Sequence, residues 1–317
     1  MENFCSVHDV KDMDQLIQKA LEYKSDPFKH KNIGQGRRIG LIFLNPSLRT
    51  RISTQVAALN LGLEPIVFNM GKEGWSLELE DGVVMNGTSV EHIKDAAPVL
   101  GQYFDILCLR SFAYLQDRDT DYSEQVLHGF IKYSGLPVIS LESATLHPLQ
   151  SLADMITIKE QWHHKVRPKI VLTWAPHIKA LPQAVSNSFA QWVNAWGQAD
   201  FVITHPEGFE LKETFSKGAS ITYNQQEALA NADVVYVKNW SSYLDYGQVK
   251  TNADDWMLTP KQWEITNKAQ VMHCLPVRRN LELSDAILDS TQNWVAQQAG
   301  NRVWAAQAVI SEILNQS

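Results

Sequence analysis

Residues 38–51 read RIGLIFLNPSLRTR, and this stretch decides what kind of fold the chain adopts. Its first half, RIGLIFL, is a continuous apolar run, typical of a strand that is covered on both faces. After an Asn-Pro-Ser corner, Ile52, Val56 and Leu59 recur at helical spacing, which predicts a helix. A buried strand that leads through a short turn into a helix is the basic unit of an α/β protein.

The same alternation of strand and helix recurs along the chain. Continuous apolar runs predict buried parallel strands at 38–44, 64–68, 104–110, 136–142, 169–175, 200–205, 233–238 and 270–275. Helical patterns lie near 91–101, 122–133, 148–163, 182–197 and 305–314. We therefore predict an α/β fold of two doubly wound, parallel-sheet domains of similar size. They are expected at 1–147, with a helix at 300–317 that packs back on them, and at 148–299.

The composition limits the functions that the chain can have. A net charge of −7 and a charged fraction of 20% argue against a general affinity for nucleic acid or for an anionic membrane. The three cysteines show neither metal-binding spacing nor a disulfide framework. The first residues lack the layout of a signal peptide, and no apolar run approaches the roughly 20 residues that cross a bilayer. We therefore expect a cytoplasmic protein.

Polar residues of the kind that bind ligands follow six of the predicted strands. In open α/β sheets, ligands bind outside the carboxyl ends of the strands. The residues at these positions are Asn45 to Arg51, Arg110 to Phe112, Glu142 with His147, His177, Lys238, and His273 to Asn280. Their shared position predicts ligand binding at the strand ends.

The turn after the first strand has the residues of an anion site. Ser47 can cap the helix, and the backbone N–H groups that follow then point toward a bound anion, with the Thr50 hydroxyl beside them. Because Arg49 and Arg51 lie two positions apart, they point about 200° apart on a helix, and we expect Arg49 to face the ligand. The simpler alternative is a capped helix with two solvated arginines.

Other candidates are ambiguous when each is taken alone. His147 and Gln150 can share one face of a first helical turn and suit a planar group with C=O and NH2, but a histidine beside a proline is also a common turn residue. Arg278 can clamp a carboxylate. Cys274 has no base placed beside it, so we interpret it as a buried thiol. Trp75 either contacts a ligand or lies in an interface, or it is a partly buried residue that anchors its own loop.

No cofactor or metal is indicated. The G-x-G of GQGRRIG (34–40) precedes a strand, whereas a dinucleotide fingerprint must follow one. The P-loop sequence does not occur, and the His273-Cys274 pair has no second pair at zinc spacing. We therefore expect neither a nicotinamide nucleotide nor ATP nor a bound metal ion.

Three segments together resemble a known family, the transcarbamylases. FLNPSLRTR (43–51) resembles their carbamoyl-phosphate motif, HPLQ (147–150) their His-Pro-x-Gln motif, and HCLP (273–276) the His-Cys-Leu-Pro motif of the ornithine branch. They occur in the family's order, and the resemblance covers essentially the whole chain. The Ser-Met-Gly loop of ornithine enzymes is missing near 238–247, and WAPH, KNW and HCLPVRRN resemble the enzymes that use N-acetylornithine or N-succinylornithine.

The segment GTSVEH (87–92) resembles the one that discriminates the acyl group in those enzymes. The acetyl type has Glu at the position of Val90, and the succinyl type has Pro. A glutamate there would repel the free carboxylate of a succinyl group, so Val90 favours N-succinylornithine, with N-acetylornithine as the alternative. Glu282 stands where acetyl-type enzymes carry a carboxylated lysine. It is either a similar negative charge or an exposed glutamate.

The resemblance implies an enzyme that transfers the carbamoyl group of carbamoyl phosphate to the δ-amine of an acylornithine, in arginine biosynthesis, without metal or cofactor. The implied catalytic residues are Arg49, Thr50, Arg110, His147 and Gln150. The expected contacts of carbamoyl phosphate are Ser47, Leu48, Arg49, Thr50, Trp75, Arg110, His147, Gln150, Cys274, Leu275 and Arg302. The expected contacts of the acylornithine are Val90, Phe112, Glu142, His177, Lys179, Lys238 and Arg278.

The family forms trimers with sites at subunit interfaces, so we expect a homotrimer in which Trp75 and the segment with Val90 come from a neighbour. Other functions stay open. An ornithine or aspartate transcarbamylase shares the chemistry, although aspartate types have His-Pro-Leu-Pro-Arg in place of HCLPVRR. A non-catalytic anion-binding protein explains the turn at 47–51, but gives no reason for His147, Gln150 and Arg278 to occur in register.

Overall fold

A computed structural model of the chain describes residues 1–163, 166–249 and 254–315. Spatial contacts divide the chain into two units. The first contains Met1–Ala113, Asp119–Leu149 and the residues from Arg302 onward, and the second contains Tyr114–Arg118 and Gln150–Asn301. The divisions at 149/150 and 301/302 lie near the predicted domain boundaries. The last two residues of the predicted 300–317 helix lie outside the described ranges.

The first unit is built on a parallel sheet of four strands. Their order across the sheet is Glu64–Asn69, Arg38–Phe43, Ile106–Arg110, Val138–Glu142. The last two strands are buried at every position, which explains why their sequences are continuous apolar runs. A separate parallel pair is formed by Leu77–Glu78 and Glu91–His92.

The second unit is built on a parallel sheet of five strands. Their order is Gln270–Met272, Val234–Lys238, Lys169–Trp174, Asp200–Thr204, Ser220–Thr222. The α/β fold with two parallel sheets and all eight predicted strands are confirmed. Ser220–Thr222 was not predicted because this edge strand has three residues, two of them exposed, and so carries no apolar run.

Helices connect the strands in both units. The α-helices are Met13–Ser25, Leu48–Asn60, Met70–Glu73, Ile93–Leu100, Arg118–Ser123, Gln125–Tyr133, Pro148–Gln161, Ala184–Trp196, Glu213–Ser216, Gln225–Leu229, Pro260–Trp263, Asp285–Leu288 and Val295–Leu314, and short 3₁₀ helices occupy Val7–Asp9 and Asp254–Trp256. Within the described ranges, no helix is both long and apolar enough to cross a membrane.

Two helical predictions needed correction. The single helix expected at 122–133 is broken at Glu124, which adopts a left-handed conformation with φ of 52°. Its carboxylate accepts hydrogen bonds from the backbone N–H and the hydroxyl of Thr145, so a tertiary contact outweighs the helical pattern. The final helix begins at Val295, earlier than its apolar pattern indicated.

The helix Leu48–Asn60 has an unexpected outer face. The spacing of Ile52, Val56 and Leu59 correctly predicted a helix, but these side chains are 51%, 37% and 56% exposed. Its inner face is formed by small residues such as Ala57 and Ala58, which are fully buried. The apolar stripe is therefore not part of the core of the first unit.

Candidate active site

The helix Leu48–Asn60 begins after a short turn that follows the strand Arg38–Phe43. Ser47 is its N-cap residue with extended backbone, but among the described residues its hydroxyl makes no capping hydrogen bond. The capping bond expected from the sequence is therefore wrong, although the position of the cap is right. Arg49 is half-buried and its Nε has no hydrogen-bond partner in the described part of the chain, whereas Arg51 is exposed.

The strand register brings Arg110 and Glu142 together. They lie opposite each other at the carboxyl ends of two neighbouring strands, and the Arg110 guanidinium donates a hydrogen bond to the Glu142 carboxylate. Both are buried, with 8% and 7% of their surfaces exposed. Burial opposes the ionisation of Glu142, but the interactions with Arg110, His147 and Arg302 together outweigh it, led by the charge of Arg110, and hold the pKa of this carboxyl below its usual range.

Phe112 supports this pair. The Arg110 guanidinium lies over the Phe112 ring, 5.0 Å from its centroid, and the Phe112 backbone N–H donates to the side-chain oxygen of Asn45 at 2.9 Å. The arginine is therefore fixed by a carboxylate and by an aromatic face.

His147 is a buried neutral ring in the same unit. Its Nε2 lies 3.5 Å from a carboxylate oxygen of Glu142 and 3.5 Å from the Arg302 guanidinium. Burial lowers the pKa of His147 to about 3, so the ring carries no charge at neutral pH. Its Nδ1 is buried without a hydrogen-bond partner among the described residues, which leaves this atom available to a ligand.

Thr50 joins this group through Arg302. Both residues are buried, and the Arg302 guanidinium donates a hydrogen bond to the Thr50 hydroxyl. The first unit thus gathers two buried guanidinium groups, one carboxylate and one neutral imidazole. Such a group has an excess of positive charge in a poorly hydrated place, and it can stabilise an anion or an oxygen that becomes negative during a reaction.

Trp75 and Val90 are brought together at the surface of the first unit. The Val90 backbone N–H donates to the Ser76 carbonyl at 3.0 Å, and the Trp75 indole donates to the Glu91 carboxylate at 2.9 Å. Trp75 is 51% exposed and Val90 is 63% exposed. The short parallel strand pair at 77–78 and 91–92 holds the two segments side by side.

The second unit places Arg278 against His177. The Arg278 Nε donates to the His177 Nε2 at 3.2 Å, and the His177 Nδ1 lies 2.9 Å from the Lys179 carbonyl oxygen. Because arginine only donates, Nε2 must be the bare nitrogen of a neutral ring. The Nδ1 lies within hydrogen-bond distance of both the Lys179 carbonyl oxygen and, at 3.0 Å, the Lys179 backbone nitrogen. Burial lowers the pKa of His177, in agreement with this neutral form. Arg278 and Lys179 are exposed, whereas Lys238 is buried at the end of its strand.

Glu282 fixes the loop that carries Arg278. Its carboxylate accepts from the Arg278 backbone N–H at 2.7 Å and lies 3.4 Å from the His273 Nε2. Burial opposes ionisation of Glu282, but its hydrogen bond and charge interaction with His273 lower the pKa of this carboxyl. Glu282 is 1% exposed, so the reading of it as an exposed glutamate is wrong.

The backbone near Cys274 is held by the same histidine. The Leu275 N–H donates to the His273 Nδ1 at 2.9 Å, and Leu275 has a φ of 58°, uncommon for a residue with a side chain. Cys274 is of intermediate exposure, so the interpretation of it as a buried thiol is wrong. A fixed loop of this kind can present backbone carbonyl groups to a ligand.

Gln150 lies in the first turn of the helix Pro148–Gln161 and is 1% exposed. Its Nε2 donates to Asp154 at 2.8 Å, and Asp154 also accepts from the Gln298 Nε2 at 2.7 Å. Neither Asp154 nor Gln298 was predicted from the sequence. The spacing of Asp154, four residues after Gln150, could have indicated the first contact, because such residues are neighbours on a helix.

Comparison with known proteins shows the family to which the chain belongs. Residues 2–160 match the profile of the aspartate/ornithine carbamoyltransferase carbamoyl-P binding domain, and residues 182–313 match that of the Asp/Orn binding domain. The chain therefore belongs to the aspartate/ornithine carbamoyltransferase family, as the three sequence motifs indicated.

Individual relatives cover almost the full length of the chain. It is 47% identical over 316 residues to the N-succinylornithine carbamoyltransferase of Bacteroides thetaiotaomicron, with 99% of each chain covered. It is 33% identical to the N-acetylornithine carbamoyltransferase of Xanthomonas campestris pv. campestris, with 94% of each covered. A similar crystal structure is a glutamate-to-valine mutant of N-acetyl-L-ornithine transcarbamylase complexed with carbamyl phosphate and N-succinyl-L-norvaline. Its TM-score is 0.89 at 31% identity, with 99% of this chain and 100% of that chain covered.

Proposed function

We propose that this protein is an enzyme that transfers the carbamoyl group of carbamoyl phosphate to the δ-amine of N-succinyl-L-ornithine, giving N-succinylcitrulline and phosphate, in arginine biosynthesis. The observation that carries the proposal is the 47% identity, over 99% of both chains, to an N-succinylornithine carbamoyltransferase. The identity to an N-acetylornithine enzyme is lower, at 33%. Val90 is uncharged and therefore does not repel a carboxylate. This agrees with a substrate whose acyl group ends in a carboxylate.

The buried group of the first unit is suited to the phosphate and the carbonyl of carbamoyl phosphate. The phosphate binds the start of the helix at Ser47, Leu48 and Thr50, with Arg49, Arg110 and Arg302 as charge partners. The carbonyl oxygen accepts hydrogen bonds from Arg110, His147 and Thr50. Gln150 and the backbone carbonyls of Cys274 and Leu275 bind the carbamoyl NH2.

The chemical step needs positioned donors and no cofactor. The lone pair of the δ-amine attacks the carbamoyl carbon, and the carbonyl oxygen becomes negative in a tetrahedral intermediate. Arg110 is aligned for this oxygen by Glu142 and Phe112, so little reorganisation is needed as the charge develops. The C–O bond to phosphate then breaks, phosphate departs with the electron pair, and the amine loses a proton.

The charged residues at the strand ends of the second unit, Arg278 and Lys238, are suited to the amino-acid part of the acylornithine. Its α-carboxylate binds Arg278 and Lys238, and His177 and Glu142 hold other polar groups. The contact of Arg278 with His177 supports this role, because it leaves the terminal guanidinium nitrogens to a carboxylate. Lys179 binds the succinyl carboxylate, and Val90 and Phe112 contact the acyl chain.

The protein acts as a cytoplasmic homotrimer in this proposal. The apolar stripe of Ile52, Val56 and Leu59 on the helix Leu48–Asn60 supports it, because such a stripe suits a buried interface between copies. Trp75 and Val90, also exposed, are offered to a neighbouring subunit. Sedimentation should give three times the mass of one chain, and Ile52→Glu should shift the protein to smaller species.

The function is tested by measuring ureido-product formation from carbamoyl phosphate with ornithine, N-acetylornithine and N-succinylornithine in parallel. Turnover of the succinyl compound well above the other two is the expected result. A preference for the acetyl compound would show that an uncharged residue at position 90 does not set the acyl group. Activity on ornithine alone would contradict the acylornithine assignment, and no turnover of any of the three would leave only an anion-binding protein.

A further inference from the structure

Asp154 is a buried carboxylate that no step of the proposed reaction uses. It lies one turn after Gln150 on the helix Pro148–Gln161 and is 0% exposed. One of its oxygens, Oδ1, accepts from the Gln150 Nε2 at 2.8 Å and from the Gln298 Nε2 at 2.7 Å. Gln298 is itself fully buried, and its own oxygen accepts from the His273 backbone N–H at 2.9 Å.

This arrangement fixes which way the Gln150 amide points. A side-chain amide has one accepting oxygen and one donating nitrogen, and their assignment follows from the partners. Asp154 Oδ1 already accepts one N–H from Gln298, and an amide oxygen placed against it would be repelled. The NH2 of Gln150 must therefore face Asp154, and its Oε1 must face away.

The outward oxygen of Gln150 has no hydrogen-bond partner in the part of the chain that the structure describes. Gln150 is 1% exposed, and its Oε1 is buried without a hydrogen bond to any described residue. A buried acceptor that is left unpaired destabilises the protein, because it has lost its hydrogen bonds to water. A donor from a bound ligand would satisfy it, and the NH2 of a carbamoyl group is such a donor.

We propose that Asp154 is a positioning residue that selects the carbamoyl NH2, because it turns the Gln150 amide so that only its oxygen is offered to the ligand. The proposal rests on the proposed function. Through Gln298 the same carboxylate is linked to the His273 backbone, so the Gln150 amide and the loop that starts at His273 share one anchor.

Two stable phosphonates can be compared to measure how strongly the protein prefers a ligand with an NH2 group. Phosphonoacetamide carries the NH2 of the carbamoyl group, and acetonylphosphonate has a methyl group in its place. Calorimetric titration should show that the unchanged protein prefers the amide by about tenfold, since a satisfied buried acceptor is worth about 1.4 kcal/mol. Because both ligands carry the same phosphonate and carbonyl, their ratio of dissociation constants reports on the NH2 alone.

Asp154→Leu removes the anchor and should reduce this preference to within about twofold, mainly by weakening the amide. Asp154→Asn keeps an oxygen at the Oδ1 position and should retain most of the preference. If the leucine variant does not fold, Asp154→Ala is the second variant and should behave in the same way. Combined with Gln150→Leu, the Asp154 substitution should cause no further loss, because both act on one contact.

Thr157→Val is the matched control for general destabilisation. Thr157 lies on the same helix, is 0% exposed and accepts a hydrogen bond from the Asn301 amide at 2.9 Å. This variant should lower the melting temperature and leave the ratio of the two dissociation constants unchanged. A shift of the ratio in the control equal to that in Asp154→Leu would contradict the proposal.

The two titrations distinguish an error in the role of Asp154 from an error in the proposed function. If the unchanged protein prefers phosphonoacetamide and Asp154→Leu keeps that preference, the role of Asp154 is wrong while the carbamoyl site stands. If the unchanged protein binds neither phosphonate, the proposed function is wrong.

Discussion

The two ligand-binding groups of this chain are built in different ways. In the first unit, Arg110, Glu142 and His147 are each less than a tenth exposed, and each contacts another member of the group through its side chain. In the second unit, Arg278 is exposed, and the buried Glu282 holds it by its backbone N–H. The first group is part of a core, whereas the second is a surface loop on a buried anchor.

This difference separates chemistry from recognition. Donors that stabilise developing charge act best where water is excluded and geometry is fixed, and the first group meets both conditions. Side chains at a surface can change without disturbing a core. We therefore expect substitutions in the first group to affect stability and turnover together, and substitutions in the second to affect substrate binding alone.

The largest effect is expected from Arg110→Met. It leaves the buried Glu142 carboxylate without its main partner, which should cost about 3–5 kcal/mol of unfolding free energy. Turnover should fall by at least about 10²–10³-fold because a donor to the reacting oxygen is lost. Urea denaturation and steady-state kinetics measure the two effects.

A second substitution separates those two consequences. Adding Glu142→Gln to Arg110→Met removes the unpaired charge and should restore much of the stability, but none of the turnover. If turnover recovered together with stability, Arg110 would be a structural residue only.

Arg278→Ala should affect binding without affecting the fold. The KM for the acylornithine should rise about 10–100-fold, as expected for a lost hydrogen bond between charged groups, with little change in kcat. Arg279→Ala is the matched control, because the neighbouring Arg279 is engaged with Asp285 and Asp289. Equal effects of the two substitutions on KM would remove Arg278 from the site.

Val90→Glu should act on specificity alone. A glutamate at this 63% exposed position should raise the KM for N-succinylornithine roughly tenfold through repulsion of its carboxylate, with a change in stability within about 0.5 kcal/mol. Val90→Gln is the control, because glutamine has nearly the size of glutamate but carries no charge. If both variants raised KM equally, size and not charge would decide the acyl group.

The sequence predicted the sheets well because buried parallel strands are continuous apolar runs. It failed where tertiary contacts overrule a local pattern, as at Glu124, and where an element is too short to show one, as at Ser220–Thr222. The stripe of Ile52, Val56 and Leu59 has core-like spacing, yet its exposure could not be deduced from spacing alone.

The candidate site was predictable in its residue types but not in its pairings. The contact of Arg110 with Glu142 depends on the register of two strands, and no local pattern encodes that register. Asp154 stands at helical spacing from Gln150, but its second partner, Gln298, lies far along the chain. For the same reason, the buried environment of Glu282 required the folded structure.

The effect that is smallest at neutral pH is expected from the buried histidine, because it develops only as the pH falls. His147 has its pKa lowered to about 3 in the folded state, against 6.5 for the free side chain. Between these values the unfolded chain holds one more proton than the folded chain, so stability is lost as pH falls from 6.5 toward 3, by up to about 1.4 kcal/mol per unit. His147→Asn should reduce this slope by one proton in urea denaturation at stepped pH.

His177→Asn is the comparison. It should also flatten the slope, because the pKa of His177 is lowered as well. The change should be smaller than for His147→Asn, since the His177 ring is only partly buried. If the two substitutions changed the slope equally, the deeper burial of His147 would not have lowered its pKa more than that of His177, and the prediction would be wrong.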